Sequence, residues 1–193
     1  KKQTYVEILS PDMSNFKSFM EREGEKLVDI FLRDELSRVK GYFNASKNKN
    51  ALNTIKEKHD LNIIFPKEYT IITNNDEFVS ATHERMISRN GRMFDLQQGL
   101  VIYHYPYTSD SIFNLNFLIE KRNEILGKYI KGATDNEFMT TNSDVRIQPI
   151  IDTVNHNDEF AVEIRGLWSM KNDFMGGPFI SLTTVDKKNN RVV

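Results

Sequence analysis

The segment Glu159-Phe160-Ala161-Val162-Glu163-Ile164-Arg165-Gly166-Leu167-Trp168 decides the fold. Phe160, Val162, Ile164 and Trp168 fall on one side of an extended chain, and Glu163 and Arg165 on the other. This alternation reads as a strand with one buried face. The preceding run from Val145 to Val154 alternates too, and the polar turn Asn155-His156-Asn157-Asp158 separates the two. The pair predicts an antiparallel hairpin. Downstream, Phe179 to Val185 is another strand, with a turn at Lys187-Lys188-Asn189-Asn190 and a strand start at Arg191-Val192-Val193.

Upstream the periods change. Phe16, Phe19, Met20, Leu27, Ile30 and Phe31 recur at helical spacing after Ser10-Pro11-Asp12, which offers a hydroxyl cap, a proline for the first turn and an early acid. This helix is expected to run to about Val39 and stop near Gly41. A more polar helix is expected over Ala51 to Lys58, and a third after Asn114, with the stripe Leu115, Leu118, Ile119, Leu126, Tyr129 and Ile130 and Gly132 at its end. Short strands are expected at Thr4 to Leu9, Leu61 to Phe65 and Gly99 to Tyr105, and a hairpin at Tyr69 to Thr82 across Asn74-Asn75-Asp76. His83 to Gln98 reads as irregular and charged, with a turn at Asn90-Gly91. There is no βαβ regularity. The expectation is an α+β fold: a mostly antiparallel sheet with about three helices packed largely on one face, a two-layer sandwich.

The 193 residues fit a single domain over 1–193. Because the chain opens and closes on apparent strands, it reads as a piece of a longer protein, truncated at both ends. Lys and Arg total 26 against 27 Asp and Glu, a net charge of −1. That balance argues against a nucleic-acid partner and against a helix lying on anionic lipid. The absence of cysteine removes disulfides, thiolate zinc sites and cysteine nucleophiles. No apolar run approaches the ~18 residues of a membrane-spanning helix.

Catalytic signatures are missing. There is no Gly-x-Ser-x-Gly elbow, no phosphate-cradling glycine loop and no dinucleotide fingerprint, so no cofactor is expected. His59, His83, His104 and His156 lack metal-ligand spacing. The nearest approach to a cluster, His83-Glu84 with Asp95, reads as a solvated loop, and no metal is expected. Met175-Gly176-Gly177-Pro178 reads as backbone shaping, with two residues free to adopt positive φ before a strand. Trp168 reads as core.

Alternation supplies the candidate binding residues. If Leu100 and Ile102 face the core, Tyr103 and Tyr105 share the opposite side with Glu163 and Arg165. Tyrosine and arginine combine apolar area with directed hydrogen bonds, and they are enriched where proteins meet partners. The candidate patch is therefore Tyr103, Tyr105, Glu163 and Arg165, bordered by the Ser169 to Pro178 loop with Asp173. The competing explanation is a structural face, with Glu163 and Arg165 as an ion pair.

Two strings are distinctive: Arg165-Gly166-Leu167-Trp168 with Asn172-Asp173-Phe174-Met175-Gly176-Gly177-Pro178-Phe179, and Tyr103-His104-Tyr105-Pro106-Tyr107 followed by a helix and Lys128-Tyr129-Ile130-Lys131-Gly132. From Tyr5 to Val193 the chain resembles an uncharacterised Bacteroidota envelope family, domain of unknown function 4837. The resemblance implies that this is the C-terminal part of a periplasm-facing or surface lipoprotein of the cell envelope, whose signal and lipid anchor lie outside this chain. It implies no activity. The expected function is a non-catalytic binding or accessory protein recognising a protein or glycan, with membrane contact only through that anchor. The rival is a hydrolase of an envelope substrate using Glu163 and Asp173 as acid and base. A purely structural domain is the third reading. The oligomeric state is not specified by the sequence.

Overall fold

A computed structural model describes residues 3–142 and 144–193. The chain divides into two compact units, Lys1–Thr70 and Ile71–Val193. The fold is α+β, with three α-helices and antiparallel sheets, one of them curled into a half-barrel.

The first unit holds α1 (Met13–Ala45) and α2 (Lys49–His59). Asp12, not Ser10, caps α1, its carboxylate accepting from the Asn15 amide at 2.8 Å. Pro11 therefore sits just outside the helix. Gly41 does not end α1, which runs on through four more residues; a lone glycine costs a helix only about 1 kcal/mol. Asn48 caps α2, accepting from the Ala51 amide, and Asp60 closes it at φ 52°. Two expected strands do not form. Thr4 to Leu9 has no ladder, and Leu61 to Phe65 leads only to an isolated bridge between Pro66 and Lys47. β-prone residues become a strand only beside a partner.

The second unit is built on strands. β1 (Thr70–Asn74), β2 (Phe78–Arg89) and β3 (Arg92–Tyr103) form a three-stranded sheet in that order. The segment expected to be irregular, His83 to Gln98, is the outer part of an unbroken β2–β3 hairpin paired from Phe78–Tyr103 to Arg89–Arg92. Its turn is the Asn90-Gly91 pair, with φ of 53° and 73°. Positive φ at both central residues matches the right-handed twist of the flanking strands. The charges concealed the strand because neither face there alternates cleanly between apolar and polar.

β4 (Tyr105–Pro106) follows β3 directly and opens the second sheet. After a 3-10 turn at Asp110–Ile112 comes α3 (Leu115–Tyr129), capped by Asn114 through the Phe117 amide. β5 (Phe138–Thr141), β6 (Ile150–His156), β7 (Glu159–Lys171), β8 (Gly176–Asp186) and β9 (Arg191–Val192) complete the chain. The order is β4-β9-β8-β7-β5, with β6 also on β7. β7 is the spine. Its first half pairs with β6 and its second half with β5 along one edge, while β8 runs along the other. The β6–β7 turn is at Asn157-Asp158, both at positive φ, as the polar run there suggests.

α3 lines the inner side of both sheets. Ile125 and Leu126 pack with Phe78, Val101, Tyr103, Tyr105 and Met139. Leu118 packs with Val162, Ile164, Ile151 and Phe179. Two glycine expectations change. Gly132, Gly176 and Gly177 are absent from the positive-φ residues. A Cβ at Gly176 would sit 2.8 Å from the Trp168 carbonyl oxygen, and one at Gly132 would sit 2.5 Å from Glu137. These glycines provide room for a close neighbour, not a left-handed backbone.

Candidate functional site

The five candidate residues fall in three places. Tyr103 and Tyr105 lie on the inner side with α3. Their rings are 6.4 Å apart, and Tyr105 is 6.4 Å from Phe117 with the Lys121 ammonium 5.6 Å over its face. Burial raises the pKa of both phenols above the usual tyrosine value. The assumption that Leu100 and Ile102 alone mark the core face fails because this strand is covered on both sides. Ile102, Val79 and Ala81 are buried on one face; on the other, Phe78 is buried and Tyr103 half-buried.

Glu163 and Arg165 lie on the outer face of the second sheet. Arg165 Nε donates to Glu163 Oε1 at 2.6 Å. The register sets their neighbours. Asp152, Glu163 and Leu182 form one row, and Ile150, Arg165 and Ile180 the next. Ile150 and Ile180 are 63% and 69% exposed, and Leu182 is exposed beside them. The outer face is thus a small aliphatic surface crossed by an ion pair. The rows also set Asp152 opposite Glu163, a like-charge contact that Arg165 relieves.

Asp173 lies elsewhere, in the turn between β7 and β8. Its Oδ1 accepts from the Phe174 amide at 2.6 Å, and Asn172 before it stands at φ 60°. Asp173 shapes the turn. From Glu163 to the end of the strand at Lys171 is about 26 Å, at about 3.3 Å per residue, and Asp173 lies beyond that end. An acid–base pair on a glycosidic substrate needs carboxyl groups within about 10 Å. The structure does not bring this pair together. Phe174, at the tip of the same turn, is 98% exposed.

One polar centre was not foreseen. Arg122 of α3 is only 6% exposed. Its guanidinium lies 3.9 Å over the Phe179 ring and donates from Nη1 to Thr141 Oγ1 at 2.9 Å. Thr141 in turn donates its amide and hydroxyl to Asn123 Oδ1 at 2.7 and 2.8 Å. Tyr103 and Ser181 complete the centre. Burial pushes the Arg122 pKa down to about 10, partly opposed by Tyr103, so the side chain stays a cation at neutral pH. No described ion pair includes it. Hydrogen bonding and the negative face of an aromatic ring carry the charge in place of a carboxylate. The signal in the sequence is spacing: Leu118, Arg122, Ile125 and Leu126 share one helix face.

Among the described residues no group of three or more His, Asp or Glu is arranged to hold a metal ion. The carboxyls of Asp12, Glu23, Glu77, Asp144 and Asp186 are all held below their ordinary range. Hydrogen bonds lead for the first four, whereas at Asp186 burial pushes upward and bonds from Asn189 and Arg191 outweigh it.

The unit is therefore an α+β fold with a curled antiparallel sheet, a buried arginine on its inner side and an aliphatic, ion-paired face outside. Residues 48–193 match the family described as a domain of unknown function, DUF4837, and the chain belongs to that family. The match begins at Asn48, so the resemblance read from Tyr5 onward is narrower at its start. No curated protein and no solved structure matches the chain.

Proposed function

We propose that this chain is a non-catalytic binding or accessory module of the bacterial cell envelope that recognises a protein through the outer face of β6, β7 and β8. The observation that carries the reading is the outer face itself: Ile150, Ile180 and Leu182 exposed around the Glu163–Arg165 pair. Exposed aliphatic side chains grouped with a charged pair suit a docked polypeptide. A glycan is less well served, because sugar rings stack on aromatic faces and Tyr103 and Tyr105 are turned inward. The envelope setting, periplasm-facing and held by a lipid anchor outside these residues, rests on the resemblance of the Arg165 to Phe179 segment to Bacteroidota envelope lipoproteins.

The test is site-specific photo-crosslinking in cells that carry the native protein. A photoreactive residue at position 180 is expected to yield a discrete adduct in the envelope fraction, and one at inner position 151 none. Ile150→Asp is expected to abolish the adduct while thermal stability is retained. Adducts of equal yield at 180 and 151, or none at 180, overturn the reading.

A further inference from the structure

The outer part of the β2–β3 hairpin separates its charges by face. The register places Arg85, Ile87 and Arg89 beside Leu96, Phe94 and Arg92 on one face. The opposite face carries Glu84, Met86 and Ser88 beside Gln97, Asp95 and Met93. All three arginines of this segment are on the first face and both acids on the second. No described ion pair includes Arg85, Arg89 or Arg92. Glu84 instead accepts from the Gln97 side chain, across its own face.

Arg89 and Arg92 are direct cross-strand partners at the turn. Like charges so placed destabilise a ribbon unless an anion lies against them. Between them and Arg85 sits the cross-strand pair Ile87 and Phe94, with Phe94 48% exposed. β1 has only five residues and can accompany only the first part of β2, so the outer arm is two-stranded. Such a ribbon alone in water is marginal. Its cationic, apolar face asks for an anionic surface that also accepts hydrocarbon.

A folded protein partner fits poorly. A two-stranded arm offers about six side chains per face, whereas a stable protein interface takes roughly 20–30 residues a side. A bilayer interface has no such threshold. Each cation near an anionic leaflet adds its own increment, and one or two apolar side chains enter below the phosphates.

We propose that the β2–β3 arm docks on an anionic phospholipid bilayer, with Arg85, Arg89 and Arg92 against lipid phosphates and Ile87 and Phe94 entering the acyl boundary. This surface is separate from the β6–β7–β8 face, and either assignment can fail without the other. It also places a membrane contact inside this chain, apart from any lipid anchor.

The test is vesicle flotation of the whole chain with phosphatidylcholine alone and with a phosphatidylcholine–phosphatidylglycerol mixture. Binding is expected only to the mixture, and it is expected to weaken as salt rises from ~0.05 M to ~0.5 M. Arg85→Gln, Arg89→Gln and Arg92→Gln together are expected to lower affinity by about a hundredfold, at about fivefold per arginine. All three sites are exposed, and retention of the fold is checked by circular dichroism. Phe94→Trp is expected to shift its emission to the blue on the anionic vesicles. Equal binding to both vesicle types, unchanged affinity of the triple variant, or binding to soluble polyglutamate as tight as to vesicles without an emission shift overturns the proposal. The last result would assign the arm to an acidic polypeptide.

Discussion

The two sides of the β6–β7–β8 sheet use arginine in opposite ways. Inside, Arg122 is buried on a phenylalanine ring and a threonine hydroxyl, and no ion pair among the described residues includes it. Outside, Arg165 is exposed and held by Glu163 two residues away on the same strand. The first arrangement resists removal, because the side chain fills space and satisfies buried groups. The second is screened by water, and such pairs contribute about 0–1 kcal/mol. What differs is the surroundings, not the residue, so an arginine at a given strand position says little about its role until its neighbours are known.

The largest effect that can break this contrast is Arg122→Ala. It is expected to lower unfolding free energy in urea by about 3 kcal/mol, from a cavity and a lost hydrogen bond together. Arg122→Met keeps most of the volume and removes the charge, and it is expected to cost under about 1 kcal/mol. If both variants unfold alike, the charge itself matters more than the space it fills. Tyr105→Ala, on the same inner side, is expected to cost about 2 kcal/mol by the same measurement. A loss of partner binding at unchanged stability would instead return Tyr105 to the recognition surface.

A smaller effect sharpens the contrast at the ring. A Cβ at Gly166 would lie 2.8 Å from Phe179 Cε1. Gly166→Ala is therefore expected to displace the ring from Arg122 and to cost about 1–2 kcal/mol, seen as a lower thermal midpoint. Smallest of all is Arg165→Ala, expected below about 0.5 kcal/mol in urea unfolding. A cost like that of Arg122→Ala would show the outer face to be core-like after all.

Much of the fold is legible in the sequence where one physical signal dominates. β7 shows its alternation because α3 covers one side and the other is open. α3 announces itself through Asn114 and a clear stripe. The Asn90-Gly91 turn reads correctly even though its strands do not. Legibility ends where two influences overlap. β3 is buried on both faces near Tyr103, so alternation cannot say which side meets the helix. The outer hairpin carries arginines and acids on strictly opposite faces, and in one dimension that pattern looks like scattered charge. Thr4 to Leu9 has the right residues for a strand and no partner, which only three dimensions reveal. Of the candidate patch, the Glu163–Arg165 pair is where alternation places it, whereas the tyrosines are on the side of the helix.

The short strand β9 has a kinetic consequence. Val192 is fully buried and pairs with Tyr105 of β4 on one side and Val185 of β8 on the other. The β8 contact is local, but the β4 contact closes a loop that contains α3, β5, β6, β7 and β8. Joining ends that far apart has an entropic cost that grows with the loop, so such contacts form late. The β2–β3 hairpin, closed by two residues, forms on a microsecond scale. Assembly of this unit should therefore begin at Asn90-Gly91 and finish at β9, with substitutions at Val192 speeding unfolding far more than they slow folding.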